Sequence, residues 1–278
     1  MSKPATLFKA VMKRRHPHEA TRIRLKGRWT IVHGRRMFAR VSVRDTVDDD
    51  TSHAACRDIV MVHGLGISSR YMVPSGERLA LYFNVYAPDL PGFGKSAPPP
   101  QVLNVAEMAE ALESWMRANG LDRACFIGNS IGCQVLAHLA VKHPHYVDRM
   151  VFVGPTFDRT SRWVVPLLLR ALYDSFWEPS SLSRLVVRDY LGAGPWRLIK
   201  TLYDALRDPI EPLLPHIEAP VLVVRGEHDA VVPQRWADKV IHLLPHARLK
   251  VIKGASHAVH FTAPDRFLRV ALPFLLKQ

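Results

Sequence analysis

Gly128-Asn129-Ser130-Ile131-Gly132 fits the pattern G-x-S-x-G, and its surroundings decide the fold. Before it stands a short apolar run of strand length, Ala124-Cys125-Phe126-Ile127. After it Ile131, Val135 and Leu139 recur every four residues, with Leu136 and Ala140 beside them, which is one face of a helix. Ser130 therefore sits on a turn from strand to helix. The glycines two before and two after it let that turn be sharp, because a side chain at either place would crowd the neighbouring strand or helix. A serine so placed stands clear of a sheet at the positive end of a helix, where an oxyanion is stabilised.

The same rhythm continues outward. Ile59-Val60-Met61-Val62 reads as a fully buried strand that runs into His63-Gly64-Leu65-Gly66. A helix over residues 71–82 and the strand Val85-Tyr86-Ala87 follow. Asn104, with Glu107 three residues on, predicts a capped helix that Gly120 ends. The helix after Ser130 stops at His143, before Pro144. Further strands are expected at 150–153, 221–224 and 249–252, with helices at 234–243 and 264–276. Residues 21–44 alternate as a hairpin with Gly34 in its turn. Between 155 and 215 the alternation breaks into helical fragments rich in Leu, Trp, Tyr and Arg, separated by prolines. The expected class is α/β, a mostly parallel central sheet with helices on both faces. Its parts are a basic arm (1–20), a core (21–154 and 216–278) and an inserted helical lid (155–215).

The chain has 278 residues, 48% hydrophobic and 23% charged, as expected of a globular protein with a large core. No apolar run approaches the roughly 18 residues of a membrane span. The start does not read as a signal peptide, because Lys9 breaks its apolar run and Lys13-Arg14-Arg15 follow. Cys56, Cys125 and Cys133 show no metal-ligand spacing, so neither metal nor cofactor is expected, and a reducing cytoplasm is. The net charge of +13 is unevenly spread. Residues 1–44 hold 13 Lys and Arg against Glu19 alone, while the other 234 carry 25 basic and 24 acidic groups. That distribution argues against a nucleic-acid binder. The arm suits an anionic membrane surface, RNA or an acidic partner, and equally a solvated terminus.

In an open parallel sheet functional groups gather at the carboxyl ends of strands. The strand at 221–224 runs into Arg225-Gly226-Glu227-His228-Asp229, and that at 249–252 into Lys253-Gly254-Ala255-Ser256-His257. Asp229 and His257 thus join Ser130 on one edge. A serine hydroxyl is a poor nucleophile until an imidazole takes its proton, and a buried carboxylate fixes that imidazole's tautomer.

From Arg22 to its end the chain resembles the α/β-hydrolase family. The motifs are His63-Gly64-x-Gly66, Asp89-x-Pro91-Gly92-x-Gly94-x-Ser96, Gly128-x-Ser130-x-Gly132, Gly226-x-x-Asp229 and Gly254-x-x-His257. The resemblance implies Ser130 as nucleophile, His257 as general base and then acid, and Asp229 as its orienting acid. It also implies an oxyanion hole from the backbone N–H groups of Leu65 and Ile131. Asp158 occupies the family's occasional alternative acid position. The Gly-x-x-His pattern favours His257 over nearby His260, and His63 is expected to shape the oxyanion loop without transferring protons. His138, His143, His145, His242 and His246 are expected on the surface without convergent partners.

A serine nucleophile excludes the aspartate-based dehalogenase and epoxide hydrolase branches and leaves acyl transfer. Carboxylesterase or lactonase action on a small or medium substrate leads. Asn129 before the serine is similar to the hydrolases that cleave C–C bonds of aromatic ring-cleavage products, which stand second. Their pattern continues with two glycines, whereas Cys133 follows Gly132 here. Two readings from other classes stand beside these. One is a ligand-sensing receptor that keeps its triad. The other is a peripheral membrane lipid hydrolase that uses the basic arm.

Overall fold

The computed structural model describes residues 23–42, 57–156 and 179–277. The arm at 1–20, Cys56, Asp158 and residues 157–178 of the expected insertion lie outside the described residues. Eight strands form: β1 (Lys26–Val32), β2 (Arg35–Ser42), β3 (Asp58–Val62), β4 (Asn84–Pro88), β5 (Ala124–Asn129), β6 (Val147–Val153), β7 (Val221–Gly226) and β8 (Ala247–Ile252). They lie side by side in the order β1-β2-β4-β3-β5-β6-β7-β8. β2 pairs antiparallel with β1 and with β4, and every other neighbouring pair is parallel. The leading hairpin turns at His33 (φ 47°) and Gly34 (φ 71°), the left-handed pair that matches the twist of its strands.

The helices are α1 (Val73–Leu79), α2 (Val105–Ala118), α3 (Ile131–Lys142), α4 (Ser180–Ala193), α5 (Pro195–Arg207), α6 (Gln234–Leu243), α7 (Val259–Thr262) and α8 (Pro264–Leu275). The central strands alternate between two cores. Val60, Phe126, Phe152 and Val223 pack with Leu112 and Trp115 of α2, Val135 and Leu136 of α3 and Trp236 of α6. Met61, Ile127, Val151 and Val224 pack on the other face with Leu79 of α1 and Phe267 and Leu275 of α8. Because both faces are covered, each central strand carries a continuous apolar run: Ile59–Val62, Ala124–Ile127, Met150–Val153 and Val221–Val224. Burying each such side chain contributes about 1.5–3 kcal/mol. Among the described residues no helix is long and apolar enough to cross a membrane.

The capping box of α2 forms: Asn104 Oδ1 accepts from the Glu107 amide (2.9 Å), and Glu107 Oε2 accepts from the Asn104 amide (2.8 Å). Two boundaries differ from expectation. The helix expected over 71–82 is a 3-10 turn, Ser69–Met72, followed by the shorter α1 with Pro74 in its first turn. The first strand begins at Lys26, and Leu25 instead packs on Gly76 of α1, where an added Cβ would stand 3.0 Å from its Cδ1. Of the block between β6 and β7, the described part holds α4 and α5. β3, β5, β6, β7 and β8 run parallel, so His63, Ser130, Gly154, Asp229 and His257 follow their carboxyl ends on one edge of the sheet.

Candidate active site

Ser130 has φ 56° and ψ −121°, and among the described non-glycine residues it shares a positive φ only with His33. A non-glycine residue there costs about 1–3 kcal/mol and persists only where its surroundings over-determine it. The surroundings do so here. A Cβ on Gly132 would stand 2.5 Å from the Val62 carbonyl oxygen, and one on Gly128 would stand 2.8 Å from Leu136 Cδ1. Both glycines therefore let α3 start hard against β3 and β5. The Ser130 amide donates to the Val153 carbonyl (3.0 Å), which also accepts from Asn129 Nδ2 (3.1 Å). This locks the turn to the end of β6.

The residue after Val153 is Gly154, with φ 53°. A Cβ there would stand 2.6 Å from His257 Cε1 and 3.1 Å from Asp229 Oδ2. The Val153–Gly154 unit thus carries the Ser130 turn on its carbonyl and the His257 ring against its Cα. His257 Nδ1 lies 2.9 Å from Asp229 Oδ2, with the carboxylate side chain fully buried. Asp229 Oδ1 accepts from the Val232 amide (2.8 Å). Buried Arg225 fixes the Asp229 loop by donating to the carbonyls of Asp229 (2.9 Å), Val232 (2.6 Å) and Glu227 (3.2 Å). The sequence reading did not single out Arg225 or Gly154. Their signal is positional: one ends the strand before Asp229, and the other follows the strand beside Ser130.

Leu65 and Ile131 border the same place. Ile131 opens α3, so its amide has no acceptor within the helix. Leu65 follows Gly64, where a Cβ would stand 3.3 Å from Ser130 Cβ and 3.1 Å from Asn129 Oδ1. His63 is held as a neutral ring, its Nδ1 donating to the Gly64 carbonyl (2.9 Å) and its Nε2 accepting from the Leu90 amide (3.0 Å). Burial lowers its pKa below the ordinary histidine value, against the opposing pull of Asp89. With both nitrogens engaged in shaping the loop, it has no proton to exchange.

Other candidates fall away. His260 is fully buried against the Tyr71 ring (4.4 Å between centroids), and burial pushes its pKa down to about 3. Cys133 donates its thiol to the Gly128 carbonyl (3.2 Å), and burial raises its pKa strongly, so it is no thiolate. His138 and His143 do have partners, contrary to expectation. His138 Nε2 lies 2.7 Å from Asp208 Oδ2, and His143 Nε2 lies 3.2 Å from Glu110 Oε1. Those partners lie 70 and 33 residues away, so no local pattern announces them.

The helices between β6 and β7 overhang this edge. A Cβ on Gly66 would run into Leu198 of α5 and stand 2.8 Å from Tyr190 Cε1 of α4. Arg197 Nη1 would lie 2.5 Å from a Cβ on Gly92 in the loop after β4.

The sequence pattern of the alpha/beta hydrolase family matches residues 59–270. With this sheet order and strained serine turn, the protein is a hydrolase and belongs to that family. Over 243 residues the chain is 28% identical to pimeloyl-[acyl-carrier protein] methyl ester esterase of Vibrio vulnificus, covering 78% of this chain and 93% of that protein. Over 276 residues it is 27% identical to 2-hydroxy-6-oxo-6-phenylhexa-2,4-dienoate hydrolase of Comamonas testosteroni, covering 86% and 95%. A thermophilic esterase from Thermogutta terrifontis shares the fold with a TM-score of 0.73 at 19% identity, over 91% of this chain and all of that one (100%).

Proposed function

We propose that the protein is a serine hydrolase that cleaves a small or medium carboxylic ester or lactone through an acyl-enzyme. The observation that carries the reading is the partly exposed His257 paired with buried Asp229 and resting on Gly154, whose neighbouring carbonyl holds the strained Ser130 turn. Ser130 Oγ attacks the substrate carbonyl while His257 Nε2 takes its proton. Asp229 keeps the remaining ring proton on Nδ1 and steadies the imidazolium. The carbonyl oxygen becomes an oxyanion held by the Leu65 and Ile131 amides. On collapse His257 protonates the departing alkoxide and the acyl group stays on Ser130. Water then attacks the acyl carbon while giving a proton to His257, and on collapse His257 returns that proton to Ser130 Oγ as the acid leaves.

The helices α4 and α5 are read as part of a lid that covers the acyl-enzyme, supported by the contacts of Tyr190 and Leu198 with Gly66. Steady-state hydrolysis of nitrophenyl esters of graded acyl length tests the reading. Turnover dependent on Ser130 supports it, and full turnover by a Ser130→Ala variant overturns it.

A second reading, C–C bond hydrolysis, is favoured by Asn129 and by the Comamonas testosteroni relative. Turnover of a 2-hydroxy-6-oxo-dienoate with no turnover of esters would select it.

A further inference from the structure

We propose that Asp189 is a positioning residue that ties α4 to the oxyanion loop and so sets where the Leu65 amide stands. The proposal rests on the reading above that this amide is an oxyanion donor. In α4 most side chains face solvent, and only Leu182 and Asp189 are buried. A buried carboxylate is costly unless hydrogen-bonded, so its partners determine where the helix seats. Asp189 Oδ2 accepts from Ser68 Oγ (2.5 Å), and Asp189 Oδ1 lies 3.4 Å from Arg70 Nη1. Both partners belong to the segment directly after His63-Gly64-Leu65-Gly66.

The stretch from His63 to Ser69 is fastened at three places. At its start His63 Nε2 takes the Leu90 amide (3.0 Å). Near its end the Ser69 amide donates to Asp89 Oδ1 (2.6 Å), whose other oxygen accepts from the Lys95 amide (2.8 Å). These two ties come from the loop after β4. The third, Ser68 to Asp189, comes from the inserted helix, 121 residues further along the chain. Beside it Tyr190, the next residue of α4, presses on Gly66 so closely that a Cβ there would stand 2.8 Å from its ring. Leu65 thus lies between core clamps at His63 and Ser69, and the tie from α4 at Ser68 is the nearer one on its far side. Release of Asp189 removes that nearer tie and leaves residues 65–68 held only through Ser69 on that side. A donor displaced by about an ångström loses much of its hold on a transition-state charge.

The test compares Asp189→Ala, Ser68→Ala and the double variant with the parent enzyme, using nitrophenyl butyrate. Rates are expressed per active site titrated with a fluorophosphonate, so that unfolded protein is not counted. A second readout is the inhibition constant of an alkyl trifluoromethyl ketone, whose hemiketal places an oxyanion in the hole. Each single variant is expected to lose roughly ten- to a hundredfold in kcat with KM little changed. The ketone's inhibition constant should rise by the same factor as kcat/KM falls. The double variant should be no worse than Asp189→Ala alone, because Ser68→Ala removes a connection that Asp189→Ala already breaks. An unchanged kcat per titrated site, even with fewer sites, overturns the proposal, as do additive effects in the double variant. Ester turnover that survives Ser130→Ala is a separate outcome, and it defeats the functional reading instead.

Discussion

The Asp229 carboxylate is divided between two partners, His257 Nδ1 at 2.9 Å on one oxygen and the Val232 amide at 2.8 Å on the other. Neither oxygen can turn to solvent, so the carboxylate holds the ring in one orientation and its Nδ1 proton in one place. Nε2 is thereby left as the basic nitrogen, the tautomer a general base requires.

Asp229→Asn offers an amide that can donate to Nδ1 and draw the ring into the other tautomer. The expected loss in kcat is about ten-thousandfold, the cost of the same exchange in serine proteases. Asp158→Asn is expected to leave ester hydrolysis nearly untouched. The opposite pattern in kcat for the two variants would show that the orienting acid has been misassigned.

Gly154→Ala should injure catalysis more than folding. Its φ of 53° penalises any side chain, and the added methyl would meet His257 Cε1 at 2.6 Å. Stability is expected to fall by about 1–3 kcal/mol, while the displaced ring costs roughly a hundredfold in kcat. Thermal unfolding and kcat measured together check this, and parent-like activity would contradict the placement of the ring.

His260 makes stability depend on pH. Its folded pKa is pushed down by burial to about 3 from an ordinary 6.5. Between those values the unfolded chain binds a proton that the folded chain refuses, so stability rises with pH. The stabilisation is fully present above about 6.5 and is lost as the solution is acidified. His260→Leu keeps apolar contact with Tyr71 and Phe267 and should flatten this dependence. Urea midpoints at several pH values between about 4 and 7 measure it, and a slope equal to the parent's would mean that other groups are responsible.

The serine turn was legible because its signal is local. The atom that requires Gly132 is the Val62 carbonyl oxygen of β3, far back in the chain. Gly128, however, is required by Leu136 and Gly132 of the helix that follows, and the apolar periods on either side announce strand and helix. The same holds for the Asn104–Glu107 cap and for the helix at 234–243. What escaped the sequence depends on residues far apart in the chain. Asp189 reads as an ordinary polar position on an amphipathic helix until Ser68 arrives from 121 residues away. Arg225 reads as a charge after a strand, and only the folded loop shows that its guanidinium gathers three carbonyls. Leu25 continues an alternating run, yet the notch above Gly76 takes it out of the strand.

The account turns on Ser130 being the atom that receives the acyl group. Incubation with a fluorophosphonate, followed by intact-mass and peptide mass spectrometry, tests this directly. One adduct per chain on Ser130, absent from Ser130→Ala and much slowed in His257→Ala, is the predicted result. An adduct on another residue, or equal labelling of Ser130→Ala, would contradict it.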